Sequence, residues 1–147
     1  MKYIAYGSNM SREQMAYRCP EARLLGTGYI SGARLEFYLH ATVEKTRNRQ
    51  DRVPVAVWEI SPLDEQHLDR YEGVPTYYVK EEWPVHMSDG SEIVGMIYLM
   101  KLIRQSPPRD EYYEGIARAY RTLGFETQIS TVLKPALERS RQRGSTF

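Results

Sequence analysis

Apolar and polar positions alternate in short runs along most of the chain, each closed by Gly, Pro, Ser or Asn. Lys2 to Tyr6 carries apolar and aromatic side chains and stops at Gly7-Ser8-Asn9, which predicts a strand ending in a turn. Ser11 and Gln14 fit a helix-capping pair, and Met15 and Ala16 supply apolar contact. Cys19-Pro20 is a stop, because proline disfavours helix at the residue before it, so the first helix is short, about two turns. Leu24 to Ile30 and Ala33 to Leu39 read as strands joined across Ser31-Gly32, the pattern of a hairpin. Glu44 to Arg52 is polar and mixed in charge and reads as an exposed loop. A strand from Val53 to Ile60 follows, with Val53, Val55 and Val57 on one face.

Ser61-Pro62 opens a second helix, since serine caps and proline is accepted at the first helical position. Leu63, His67 and Arg70 or Tyr71 follow at helical spacing, and the helix ends near Glu72-Gly73. Thr76 to Met87 and Glu92 to Leu102 are strands joined by Asp89-Gly90, a strong hairpin turn. Beyond Ser106-Pro107-Pro108, Tyr113, Ile116, Ala117 and Tyr120 share one face of a helix from Arg109 to Leu123 that Gly124 closes. Thr127 to about Arg141 reads as a last helix complicated by Pro135, and the tail ERSRQRGSTF as a solvated or frayed end. Strands and helices alternate, yet the turns are short enough for antiparallel pairs. The expected class is therefore α+β, a small curled mixed or antiparallel β-barrel flanked by helices, with residues 1–147 forming a single domain.

Composition narrows the function classes. The 20 Lys plus Arg stand against 19 Asp plus Glu, so no excess charge draws nucleic acid or an anionic membrane. With 41% hydrophobic and 27% charged residues the chain is globular rather than disordered. No apolar stretch approaches the ~20 residues that span a bilayer. The start MKYIAYGSNM lacks the apolar core and cleavage site of a signal peptide, and the lone Cys19 makes no intramolecular disulfide, so the expected location is cytoplasmic. Twelve tyrosines favour strands over a helical bundle and offer amphipathic pocket walls.

Several chemistries fail on spacing. Gly26, Gly28 and Gly32 approach a dinucleotide loop, but Ser31 stands where the third glycine would fall, and no phosphate-binding lysine signature is present. His40, His67 and His86 lack partners at ligand spacing, so no metal is expected, and Cys19 reads as an inert thiol. Two places remain. At Tyr6-Gly7-Ser8-Asn9 a strand turns into a helix, where backbone amides can converge on a carboxylate and Gly7 permits close approach. The same residues also make a plain connecting turn. Glu72 precedes the bend Gly73-Val74-Pro75 and can aim a carboxylate into a pocket walled by Tyr77 or Tyr78, where burial would raise its pKa into the range of a base near neutral pH. Its plain alternative is a solvated glutamate at a helix end.

Taken together, the N-terminal YGSNM, then LDRYEGVPTYYV, GMIYLM and a PP-x3-YY-x2-I helix closely resemble the gamma-glutamylcyclotransferase-like family, including its small bacterial members, over about residues 2 to 125. The resemblance implies a mixed fold built on a small barrel, no metal or organic cofactor, and intramolecular aminolysis of a gamma-glutamyl amide to 5-oxoproline and an amine. By position it implies Glu72 as the catalytic acid/base, and Tyr6, Gly7, Ser8, Asn9, Tyr78 and Tyr98 as substrate-binding residues. The loop amides would hold the substrate α-carboxylate, and the oxyanion donor stays open between Tyr98 and those amides. The implied partner is a small gamma-glutamyl substrate, with neither nucleic acid nor membrane. Other readings of the same site are a gamma-glutamylamine cyclotransferase, a gamma-glutamyl acyltransferase, and a non-catalytic small-molecule binding module.

Overall fold

The computed structural model describes residues 1–101 and 106–144. In chain order its elements are β1 (Lys2–Ala5), α1 (Arg12–Arg18), β2 (Arg23–Ser31), β3 (Ala33–Tyr38), β4 (His40–Lys45), β5 (Arg52–Glu59), α2 (Pro62–Glu72), β6 (Tyr78–Met87), β7 (Glu92–Met100), α3 (Asp110–Thr122), α4 (Glu126–Gln128) and α5 (Lys134–Gly144). Strands β1, β5, β2, β6 and β7 close in that order into a barrel. Pairing is antiparallel except at the β1–β7 seam, where Tyr3 lies parallel to Met96. A mixed barrel flanked by helices is the α+β class that the sequence predicts.

The expected hairpin between the second and third strands does not form. β2 pairs with β5 and β6, whereas β3 leaves the barrel and pairs with β4 in a separate two-stranded sheet. The chain changes sheets at Gly32, whose φ of 70° a side chain would disfavour. Glu44 and Lys45, read as loop, belong to β4, a strand whose buried content is only Ala41, Thr42 and Val43. So short an apolar run gives no periodicity to read. β5 is buried on both faces, Ala56 and Trp58 as well as Val53, Val55 and Val57, because it lies between β1 and β2 and β3 packs against it.

α2 forms where its caps dictate. Ser61 Oγ accepts the Asp64 N–H at 3.1 Å, Asp64 Oδ2 accepts the Ser61 N–H at 3.0 Å, Pro62 takes the first position, and Gly73 ends the helix with φ 69°. Its buried face is set by Leu68, not by Leu63, which is 60% exposed. In α3 the expected Ile116, Ala117 and Tyr120 are buried, and half-buried Tyr113 packs on Phe37. Downstream, α4 passes through a π turn over Ile129–Leu133 into α5, with Pro135 at the second position of that helix. The tail read as solvated is helical to Gly144. Ser140 is buried, and Arg139 donates to buried Glu36 on β3. The expected end of β7 at Leu102 lies outside the described residues, as do residues 145–147 of the tail. No helix among the described residues is long and apolar enough to cross a membrane.

Candidate active site

Strand β1 delivers Tyr6 into the core, and Gly7 then turns the chain into a 3-10 turn over Ser8–Met10, closed by Met10 N–H to the Gly7 carbonyl at 3.0 Å. Gly7 sits close under the cavity wall: a Cβ there would lie 3.3 Å from the Tyr112 hydroxyl, a tight contact, and 3.4 Å from Ala41 Cβ, an ordinary one. The loop is held from below by buried Asn9. Its Nδ2 donates to Tyr3 Oη at 2.9 Å, its carbonyl accepts from Trp58 Nε1 at 3.0 Å, and its Oδ1 accepts from Arg18 of α1. Arg18 also reaches Ser8 Oγ at 3.4 Å and lies 3.5 Å over the Tyr71 ring.

Glu72 is the last residue of α2, and the left-handed Gly73 turns the chain away directly behind it. A Cβ at Gly73 would lie 2.6 Å from the Tyr77 ring, so glycine is required twice over. The two segments meet in one cavity of about 540 Å³. All seven predicted positions, Tyr6, Gly7, Ser8, Asn9, Glu72, Tyr78 and Tyr98, line it. Tyr77, the other tyrosine proposed for the pocket wall, lines it too, though it is 63% exposed.

Burial pushes the Glu72 carboxyl up to about 7, opposed by the Arg18 guanidinium. Around it, Tyr3, Tyr6, Tyr78, Tyr98 and Tyr112 are all held above the usual phenol range, first by burial, with the Glu72 charge adding to each. These rings stay neutral where Glu72 titrates, so its carboxyl exchanges a proton near neutral pH inside a wall of hydroxyls. Tyr98 Oη donates to Asp69 Oδ1 at 2.6 Å, and Asp69 is paired in turn with Lys80 at 2.8 Å. With its only proton given to Asp69, Tyr98 has none for an oxyanion.

With this geometry in place, the chain matches the family model described as Gamma-glutamyl cyclotransferase, AIG2-like, over residues 3–116. The chain belongs to the gamma-glutamyl cyclotransferase, AIG2-like family. The gamma-glutamylcyclotransferase of Mus musculus is 29% identical across 97% of this chain and 81% of its own. That of Homo sapiens is 27% identical across 90% and 76%. A solved structure of a gamma-glutamyl cyclotransferase superposes with a TM-score of 0.80 at 26% identity, covering 89% of this chain and 86% of that one. This is a family of enzymes, and the matched span holds every cavity residue described above.

Reading the chain alone misses Tyr3, Arg18 and Tyr112. Tyr3 looks like one more apolar strand position, Arg18 like a solvated helix end, and Tyr112 sits beside the helix face formed by Tyr113, Ile116 and Tyr120. The signal available was the doubled tyrosine at 112–113, since two adjacent helical positions cannot both face the same core. His40 also lines the cavity, its pKa lowered by burial and by Arg109. Cys19 is buried with its thiol pushed up to about 11, in keeping with an inert group.

Proposed function

We propose that this enzyme cyclises a gamma-glutamyl amide to 5-oxoproline and releases the amine, with Glu72 as general base and then general acid. The observation that carries the reading is the Glu72 carboxyl, raised to about 7 and placed in the same cavity as the Tyr6–Asn9 loop. The loop amides at the start of the 3-10 turn bind the substrate α-carboxylate, since first-turn N–H groups have no carbonyl of their own turn to bond. That pose folds the glutamyl chain so that its α-amine faces its own γ-carbonyl. Well-oriented attack of this kind removes roughly 7 to 11 kcal/mol of barrier. Glu72 takes a proton from the α-ammonium, the amine nitrogen bonds to the γ-carbon, and the γ C–N bond breaks as Glu72 returns that proton to the leaving nitrogen. The second proton lost by the attacking nitrogen passes the same way, so the lactam keeps one N–H and the amine departs as an ammonium ion. Such acid/base work is worth typically about 10² to 10⁴ in rate.

The test is 5-oxoproline release from a panel of gamma-glutamyl amino acids and gamma-glutamyl amines, run beside Glu72→Gln with folding checked by circular dichroism. Release by the parent and a loss of at least ~10² in the folded variant are expected. Equal release by both would remove Glu72 from the chemistry. Ligand binding without release would leave a binding module.

A further inference from the structure

The tyrosines around Glu72 divide according to where each hydroxyl proton goes. Tyr6 donates to the Tyr98 carbonyl, Tyr78 to the Ala41 carbonyl at 3.3 Å, and Tyr98 to Asp69 at 2.6 Å. A phenol has one proton, so none of these three has one left for a ligand. Tyr3 and Tyr112 are arranged the other way. The Tyr3 oxygen accepts from Asn9 Nδ2, and the Tyr112 oxygen accepts from the Ala41 N–H at 3.0 Å. Among the described residues, neither has an acceptor for its own proton.

A hydroxyl proton with no protein acceptor is available to a ligand, and both hydroxyls belong to residues that line the cavity. Of the two, Tyr112 stands at the ligand loop: its oxygen is the atom 3.3 Å from where a Gly7 side chain would begin. The Tyr3 oxygen is engaged with the Asn9 side chain instead. We propose that Tyr112 is a catalytic residue, donating its hydroxyl hydrogen bond to the γ-carbonyl oxygen as negative charge develops there. This rests on the cyclisation reading above. As the α-amine bonds to the γ-carbon, the carbonyl π electrons move onto oxygen, and Tyr112 stabilises that oxyanion until the C–N bond breaks. Tyr112 keeps its proton throughout, and the Ala41 N–H fixes the orientation of its hydroxyl in advance, the condition under which such donors count most.

The closing experiment compares Tyr112→Phe with Tyr98→Phe on a gamma-glutamyl amino acid that the parent turns over. Tyr112→Phe should lower kcat by about 10²-fold with KM little changed, and Tyr98→Phe should lower it less. A Tyr112→Phe kcat within threefold of the parent, or a larger loss from Tyr98→Phe, overturns the assignment and leaves the cyclisation reading standing. No release by the parent overturns both. Should Tyr112→Phe lose its fold, replacing Tyr112 with 3-fluorotyrosine keeps the shape and strengthens the donor. The single-turnover rate should then rise severalfold, and an unchanged rate rejects the assignment.

Discussion

A carboxyl that holds its proton until about pH 7 works as a base only above that point. Burial raises Glu72 to this value and Arg18 pulls it back, so kcat/KM for 5-oxoproline release should climb through about pH 7 and level off above it. Arg18→Met removes the charge that favours the carboxylate, and the acid limb should then move to higher pH. A limb that stays in place would show that Arg18 serves the loop alone, through Ser8 and Asn9. Stability runs the opposite way with pH. The folded pKa lies above the unfolded value of 4.5, so Glu72 favours the fold below that value and the benefit is lost as pH rises through about 7. Glu72→Gln should therefore melt above the parent at pH 8, by on the order of 2 kcal/mol, and the gap should close near pH 4. The sequence showed the position of this glutamate between a helix end and a bend. What sets its chemistry, five phenol rings and one guanidinium drawn from other elements, has no local trace.

Secondary-structure elements place these groups through a few backbone requirements. Gly73→Ala would force a side chain into φ 69° and within 2.6 Å of the Tyr77 ring. It should cost about 1 to 3 kcal/mol in urea unfolding and lower kcat by displacing Glu72. Gly28 is stricter, because a Cβ there would lie 2.3 Å from the His86 carbonyl oxygen and 2.9 Å from Met87 Cα, both backbone atoms of β6. Gly28→Ala should open the β2–β6 seam and cost about 3 kcal/mol or more, read as a lower denaturation midpoint. The caps of α2 were legible because Ser61, Pro62, Asp64 and Gly73 act within one turn of where they stand. β4 was not, since three buried residues between a charged pair and a histidine carry no period.

Across the whole molecule, the two-stranded sheet is tied to the C-terminal helix by a buried acid. Glu36 on β3 is fully buried and accepts from Arg34 Nε at 2.7 Å and from Arg139 Nε at 3.1 Å, while Arg139 also donates to the Leu35 carbonyl at 2.8 Å. Arg139→Ala takes one guanidinium from this carboxylate and should cost about 1 to 3 kcal/mol in unfolding free energy. KM should not change, because Arg139 does not line the Glu72 cavity. The run of charges near the C-terminus looked solvated because its counter-charge lies 103 residues away in the chain.

What the sequence alone determined is therefore local: the strand, turn and helix from Tyr6 to Ser11, the capped helix that delivers Glu72, the Asp89-Gly90 hairpin, and the motifs that mark the family. Each rests on backbone preferences that act within a few residues. Tertiary structure alone decided that β2 pairs with β5 and β6 rather than β3, that β4 exists, that Tyr3 and Tyr112 share a cavity with Glu72, and that the Arg18 charge acts on that carboxyl. Strand pairing and hydroxyl partners depend on contacts distant in sequence. Alternation can tell which face of a strand is apolar, but only barrel closure selects its neighbours and the oxygen that takes each tyrosine's proton.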